Sequence, residues 1–218
     1  MARIAGSFAF RFACYLAMLW MALWAEAQPA PSLPDRVLAL VPYVPEVARI
    51  NYLLWLAAYV PVGLAFLFTH PERFVRYMMA AGWVALLRGL CIVVTGLGPV
   101  SGADVHVGLT AEQRWEAFWA LSFNLGLFSP SRADGFALEK DLFFSGHTAT
   151  TLLLLLYVWR YPRLRWAMLA AHLAVVASVF LAHLHYTIDV LGAYAVVLAF
   201  FALREGRLGA SAPAAEAR

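Results

Sequence analysis

The chain has 218 residues, of which 63% are hydrophobic and 13% are charged. An average soluble domain carries about 25% charged residues, so this composition excludes a typical soluble protein and indicates an integral membrane protein. The formal net charge of +3 says little about nucleic acid, because the basic residues of membrane proteins are sorted by loop, and we expect no nucleic-acid partner. The sequence contains no internal repeat, and its length fits one compact helical domain.

Six apolar stretches approach the length of about 20 residues that a membrane-spanning helix needs. They cover residues 7–27, 51–69, 77–97, 143–160, 164–182 and 186–204. The predicted fold class is therefore all-α, a six-helix membrane bundle formed by residues 1–205 and followed by a disordered cytoplasmic tail at 206–218.

The first stretch has a second interpretation as a signal peptide, because Ala25-Glu26-Ala27 resembles a small-residue cleavage site. Its apolar run extends to Trp24 and exceeds the core of about 7 to 15 residues that is typical of signal peptides. We therefore expect a retained helix.

Arginines cluster in the short loops on the side of the N-terminus. They are Arg73 and Arg76, then Arg160, Arg163 and Arg165, and finally Arg204 and Arg207. Such loops favour the cytoplasm, so we expect both termini there and the segments 28–50 and 98–142 outside. An arginine-rich chain with Lys140 as its single lysine is more typical of a bacterial inner membrane than of a eukaryotic Golgi protein.

Two motifs carry the candidate chemistry. His147 lies in a Ser-Gly-His-Thr sequence at 145–148, and His185 and Asp189 lie in a His-Tyr-Thr-Ile-Asp sequence at 185–189. Predicted spans four and six both enter from the outer side near these motifs, so both histidines are expected at one membrane face. Asp189 follows His185 by one helical turn and can orient its imidazole. Two histidines can divide nucleophilic attack and leaving-group protonation between them.

Arg88 is an ionisable residue inside predicted span three. Such residues usually face a bundle interior or a wet cavity, and an arginine fork suits phosphate oxygens. The alternatives are a structural ion pair or a side chain that extends to the interface. His172, in the middle of span five, is interpreted as a residue that hydrogen-bonds between helices.

In their order along the chain, the motifs resemble those of the sphingomyelin synthases and their bacterial relatives within the type 2 lipid phosphatase (PAP2) superfamily. The matching segments are Leu-Pro-Asp at 33–35, residues 88–95, Trp-Glu-Ala at 115–117, residues 141–148, residues 182–190 and Ala-Tyr at 193–194.

The resemblance implies an enzyme with its active site on the outer face. It would move a phosphorylated head group from a glycerophospholipid to a lipid alcohol such as ceramide and release diacylglycerol. His185 would form a transient phosphohistidine, Asp189 would hold its ring, and His147 would act first as the acid and then as the base. The chemistry needs no cofactor and no metal.

Further residues are implied in supporting or phosphate-binding roles: Arg88, Glu116, His183, Asp141, Ser145, Gly146 and Tyr186. Glu116 would support His147 or proton movement, although an exposed loop glutamate fits the sequence equally well. His183 lies on a different helix face from His185, and contact with water or lipid head groups is its alternative role.

The main rival activity is a lipid phosphate phosphatase with the same two histidines and aspartate. Phosphatases of the superfamily usually carry an arginine six residues before the nucleophilic histidine, where this chain has Val179. A phospholipase C-like hydrolase stays open, as does a remote alternative in which paired histidines bind haem or a metal. The sequence specifies neither the donor head group nor the acceptor, and it is compatible with a homo-oligomer.

Overall fold

The computed structural model describes residues 1–123 and 136–210, and this part of the chain is all-helical. The helices are α1 (Ala2–Glu26), α2 (Pro45–Thr69), α3 (Pro71–Thr95), α4 (Ala111–Phe123), α5 (Gly146–Val158), α6 (Pro162–Leu181) and α7 (Thr187–Ala210). A short 3-10 turn at Leu38–Leu40 lies between α1 and α2. The all-α prediction agrees with these elements.

Five of the helices, α1, α2, α3, α6 and α7, are long and apolar enough to cross a membrane. The predicted count of six is not reproduced, because the stretch 143–160 forms only the 13-residue helix α5. That helix is about 20 Å long, which is less than the roughly 30 Å of a bilayer's hydrocarbon core. Its side chains are mostly buried, so neighbouring helices enclose it.

Three helices that start with proline begin earlier than their apolar stretches predict. α2, α3 and α6 start at Pro45, Pro71 and Pro162, and proline suits the first turn because no hydrogen bond is required from its nitrogen there. α3 is followed by Gly96, whose φ of 53° is the left-handed conformation common after a helix. Hydropathy therefore locates the membrane layer, whereas proline and glycine set the helix ends.

The bundle is organised as packed helix pairs. α1 lies along α3, α2 lies along α6, and α5 contacts α3, α6 and α7. Close approach of α1 and α3 depends on Gly82 and Gly89, where an added Cβ would clash with Phe10 and Met21. At one end of the bundle, His70 stacks on Tyr161 with ring centroids 3.7 Å apart. The α2–α3 and α5–α6 connections therefore lie together.

Helix α4 was not predicted within the segment 98–142. It packs its aromatic side chains against α1, where Trp20 contacts the rings of Trp115 and Phe118. At the other end of the chain, α7 continues to Ala210, into the segment predicted as a tail. Residues 211–218 of that predicted tail lie outside the described residues.

Candidate active site

A cavity of about 310 Å³ opens between α1, α2, α3 and α5. Loop residues before α4, before α5 and between α6 and α7 complete its wall. His147, His185 and Arg88 all line it, so the structure brings together three of the side chains selected from the sequence.

The two histidines reach the cavity from different elements. His147 lies in the first turn of α5, and His185 lies in the turn that precedes α7. Their ring centroids are 6.2 Å apart, with the ring planes inclined at 65°. Trp55 of α2 contacts the edge of His147, with ring centroids 5.6 Å apart. A group placed between the imidazoles can therefore meet both rings.

Asp189 lies behind His185 and is fully buried. Its Oδ2 atom is 3.5 Å from Nδ1 of His185 and accepts a hydrogen bond of 2.9 Å from the main-chain N–H of Tyr186. Within the described residues, Nδ1 of His185 has no hydrogen-bond partner. A separation of 3.5 Å exceeds a normal hydrogen bond, and catalytic hydrogen bonds are often long until substrate is bound.

Arg88 is buried and holds the segment that leads into α5. It donates to the carbonyl oxygens of Phe144 (2.7 Å) and Asp141 (2.6 Å), and it pairs with the Asp141 carboxylate. Its Nη1 atom lies 3.4 Å from the sulfur of Met18. These contacts are those of a structural ion pair, the alternative role considered for this arginine.

Gly146 lies close to the guanidinium of Arg88. A Cβ atom at Gly146 would lie 3.1 Å from both Cζ and Nε of Arg88, closer than most such contacts. The preceding residue, Ser145, caps α5, because its hydroxyl accepts a 3.4 Å hydrogen bond from the N–H of Thr148. The Ser-Gly-His sequence therefore shapes the start of the helix that carries His147.

The remaining predicted residues lie around the cavity or outside it. His183 lines the cavity, and its Nε2 atom is 2.9 Å from the carbonyl oxygen of Val41. Tyr186 is buried beside the cavity and does not line it. Its hydroxyl contacts the Pro99 carbonyl oxygen at 2.9 Å and accepts from the Leu33 N–H at 3.0 Å. Glu116 is exposed on α4 and does not line the cavity.

Asp35, of the Leu-Pro-Asp segment, caps the start of α7. Its carboxylate accepts hydrogen bonds from the N–H and the hydroxyl of Thr187, at 2.5 and 3.0 Å. Burial alone would raise the pKa of Asp35, but these bonds, together with those from the N–H groups of Leu38 and Val37, hold the pKa below its usual value. Asp35 thus fixes the backbone two residues after His185.

A buried network that sequence reasoning missed holds the chain just before Asp141. Glu26, at the end of α1, accepts 2.6 Å hydrogen bonds from the N–H groups of Glu139 and Lys140 and contacts Nδ1 of His106 at 2.9 Å. Lys140 pairs with Asp104 at 2.8 Å. The sequence signal was a carboxylate at the end of an apolar helix, which we interpreted only as part of a cleavage-site pattern.

The bundle brings two histidines to one cavity and places a buried carboxylate behind one of them, an arrangement that suits phosphoryl chemistry at a membrane. Residues 140–205 match the family model described as PAP2 superfamily C-terminal. This matched region contains His147, His185 and Asp189.

Two relatives align with most of the chain. It is 29% identical over 180 residues to phosphatidylcholine:ceramide cholinephosphotransferase 1 of Caenorhabditis elegans, covering 75% of this chain and 37% of the relative. It is 28% identical over 181 residues to sphingomyelin synthase-related 1 of the same organism, covering 78% of this chain and 36% of the relative. The chain therefore spans little more than a third of the length of these curated relatives.

These similarities confirm the family predicted from the motifs: the C-terminal part of the chain resembles the PAP2 superfamily, and most of the chain is similar to sphingomyelin synthase-related proteins. The apolar helices support an integral membrane protein, and the matched family supports an enzyme of the lipid phosphotransferase or phosphatase kind.

Proposed function

We propose that the chain is a phosphotransferase that moves a phosphorylated head group from a glycerophospholipid to a lipid alcohol such as ceramide, with release of diacylglycerol. The observation that carries the proposal is the shared cavity of His147 and His185, whose ring centroids are 6.2 Å apart, with Asp189 behind His185. The name of one relative, a phosphatidylcholine:ceramide cholinephosphotransferase, supports the substrate class.

The first step forms a bond between phosphorus and His185 and breaks the bond between phosphorus and the diacylglycerol oxygen. Because Nδ1 of His185 faces the Asp189 carboxylate, Nε2 is the nitrogen free to attack. His147, protonated at this stage, gives its proton to the departing oxygen. Asp189 stabilises the positive charge that develops on the His185 ring, as a buried carboxylate does beside a catalytic histidine.

The second step runs the same chemistry in reverse with a new alcohol. His147 is now neutral and removes the proton from the acceptor hydroxyl, which attacks phosphorus and breaks its bond to His185. The new phospholipid leaves, and His147 holds the proton that the first step needs. One histidine can serve in turn as acid and base because its imidazole can give up a proton in one step and take one up in the next.

The small number of available cations near the histidines favours a phosphodiester substrate over a phosphomonoester. A monoester approaches two negative charges at phosphorus, whereas a phospholipid diester carries one. Val179, at the position where superfamily phosphatases usually carry an arginine, is buried in an apolar cluster with Val175 and Val190. Arg88 is already paired with Asp141. The residues nearest the histidines therefore offer little charge for a dianion.

Product analysis tests the proposal directly. Purified enzyme is incubated with mixed phospholipids, with and without ceramide or diacylglycerol, and the lipids are identified by mass spectrometry. A transferase produces a new phosphosphingolipid only when ceramide is present. Diacylglycerol without a new phospholipid would indicate phospholipase C-like hydrolysis, and inorganic phosphate from phosphatidate would indicate a phosphatase. Full turnover in a chelator would remove the metal-dependent alternative.

We also propose that both termini are cytoplasmic and that the cavity faces the exterior, in a bacterial inner membrane. The arginines of the predicted short loops support this orientation. Single cysteines introduced at Val105 and Arg163, in a Cys14→Ala, Cys91→Ala background, test it in intact cells. An impermeant maleimide should label V105C alone, and labelling of R163C alone would reverse the orientation.

A further inference from the structure

Arg11 is a guanidinium inside the membrane-spanning helix α1 that the proposed chemistry does not use. Its Nη1 atom donates a 2.8 Å hydrogen bond to the carbonyl oxygen of Ala81 on α3. This is its only hydrogen bond to the described residues, and none of their carboxylates lies within ion-pair distance of it. A charged side chain inside a bilayer is costly and usually marks a functional position.

Arg11 lines the same cavity as His147 and His185, at a deeper level. Its partner Ala81 precedes Arg88 by seven residues on α3, which corresponds to about 10 Å along the helix axis. The wall between these levels is largely apolar and includes Val84, Ala85 and Leu153. A lipid whose phosphorus lies at the histidines would therefore direct its glycerol and acyl region towards Arg11.

The surroundings of Arg11 select the kind of group that can occupy this part of the cavity. A cationic head group would be repelled by the guanidinium. A phosphoryl group placed at this depth would lie too far from the histidines to react. The acyl carbonyl oxygens of a phospholipid are the first hydrogen-bond acceptors beyond its phosphate, and they enter an apolar environment with little loss of hydration. Arginine offers five N–H donors and no acceptor, which matches carbonyl oxygens.

We propose that Arg11 forms a second polar subsite of the cavity and binds an acyl carbonyl oxygen of the lipid donor. The proposal rests on the proposed function, because it takes the phosphorus of a phospholipid to lie at His147 and His185. It assigns to Arg11 the recognition of ester-linked lipid and to the histidine pair the chemistry. Loss of a hydrogen bond from a charged donor should lower kcat/KM by about 10- to 100-fold.

The test compares two donors that differ only at the carbonyl groups. A diacyl phospholipid and the 1,2-dialkyl ether with the same head group are presented in the same detergent micelles. Release of the diacylglycerol or the dialkylglycerol is measured, so the assay reports donor cleavage whether the head group goes to ceramide or to water. Arg11→Gln is compared with Arg3→Gln, a matched change at an exposed arginine on the same helix.

The wild type and Arg3→Gln should cleave the diacyl donor about tenfold or more faster than the ether, and Arg11→Gln should cleave both at the slow rate of the ether. The preference is the ratio of the diacyl rate to the ether rate in the same sample. A partly misfolded Arg11→Gln sample lowers both rates equally and leaves this ratio unchanged. An equal loss on both donors, or an unchanged preference, would overturn the proposal.

If no phospholipid is cleaved, the proposed function fails, and a binding measurement still decides the role of Arg11. Displacement of a phosphatidylcholine carrying a fluorescent acyl chain is measured with unlabelled diacyl and dialkyl phosphatidylcholine. From the wild type, the diacyl lipid should displace the probe more effectively than the dialkyl lipid. From Arg11→Gln, the two lipids should displace the probe equally well. Equal displacement by the two lipids from the wild type would contradict carbonyl recognition.

Discussion

The Nδ1 atom of His185 lies 3.5 Å from the Oδ2 atom of Asp189, one helical turn further along the chain. The same Oδ2 atom accepts the main-chain N–H of Tyr186, so the backbone fixes the carboxylate independently of the imidazole. Only a small movement of the ring is needed to form a hydrogen bond. This geometry directs one ring nitrogen of His185 to the carboxylate and leaves the other nitrogen without it.

Asp189→Asn should reduce the rate of diacylglycerol release on the order of 10⁴-fold, because an amide neither holds the required tautomer nor stabilises the imidazolium. Turnover is measured at saturating donor. Glu205→Gln, the same chemical change near the other end of α7, is the matched control and should leave the rate nearly unchanged. A loss of less than tenfold in Asp189→Asn would remove the role assigned to this carboxylate.

His147 and His185 should be separable by the leaving group of the donor. A nitrophenyl phosphodiester loses an anion that needs no proton, so His147→Ala should recover much of its first-step rate with this donor, whereas His185→Ala should stay inactive. Release of nitrophenol is followed by its absorbance. Rapid quenching with a donor labelled at phosphorus should trap an adduct on the wild type and none on His185→Ala. Equal behaviour of the two variants would contradict the division of roles.

Breaking the ion pair of Arg88 and Asp141 should destabilise the protein more than removing both charges. Arg88→Met leaves a carboxylate without its partner, and we expect a loss of about 3 kcal/mol, the lower end of the range for buried pairs, because Asp141 is partly exposed. Unfolding in mixed micelles is compared for Arg88→Met, Asp141→Asn and the double variant. Additive effects of the two single changes would show that the pair contributes no coupling.

The cap that Asp35 places on α7 should make stability depend on pH in the acidic range. Because hydrogen bonds lower the pKa of Asp35 in the folded protein, its contribution is complete above the ordinary value near 4 and is lost as the pH falls through the lowered pKa. Asp35→Asn should therefore lower Tm at pH 7, and the difference from the wild type should shrink below about pH 4. A difference that is constant with pH would exclude this linkage.

Glu116→Gln should retain nearly full turnover, because the side chain is exposed on α4 and lies outside the cavity wall. Diacylglycerol release by this variant and by Glu112→Gln, another exposed glutamate of the same helix, provides the comparison. A loss of a hundredfold confined to Glu116→Gln would show that α4 closes over the cavity during turnover.

The sequence was most informative where the chemistry is local. His185 and Asp189 are four residues apart, so helical spacing alone predicted their proximity, and the order of the loops predicted that His147 would join them. Asp35 and Glu26 are different, because each bonds to backbone groups more than 100 residues away. No local pattern carries that information. Arg11 had a readable signal, an ionisable residue within the first apolar stretch, but we did not single it out.

The hydrogen bond from the main-chain N–H of Ser145 to the carbonyl oxygen of Asp189, 3.0 Å long, has a practical consequence for mutagenesis. It ties the two histidine motifs together through atoms that every residue type except proline retains on the donor side. Alanine substitutions in both motifs therefore keep this hydrogen bond, so an alanine scan cannot reveal its contribution to activity or stability. Ser145→Pro, which removes the donor, or an amide-to-ester replacement at that peptide bond is the change that would expose it.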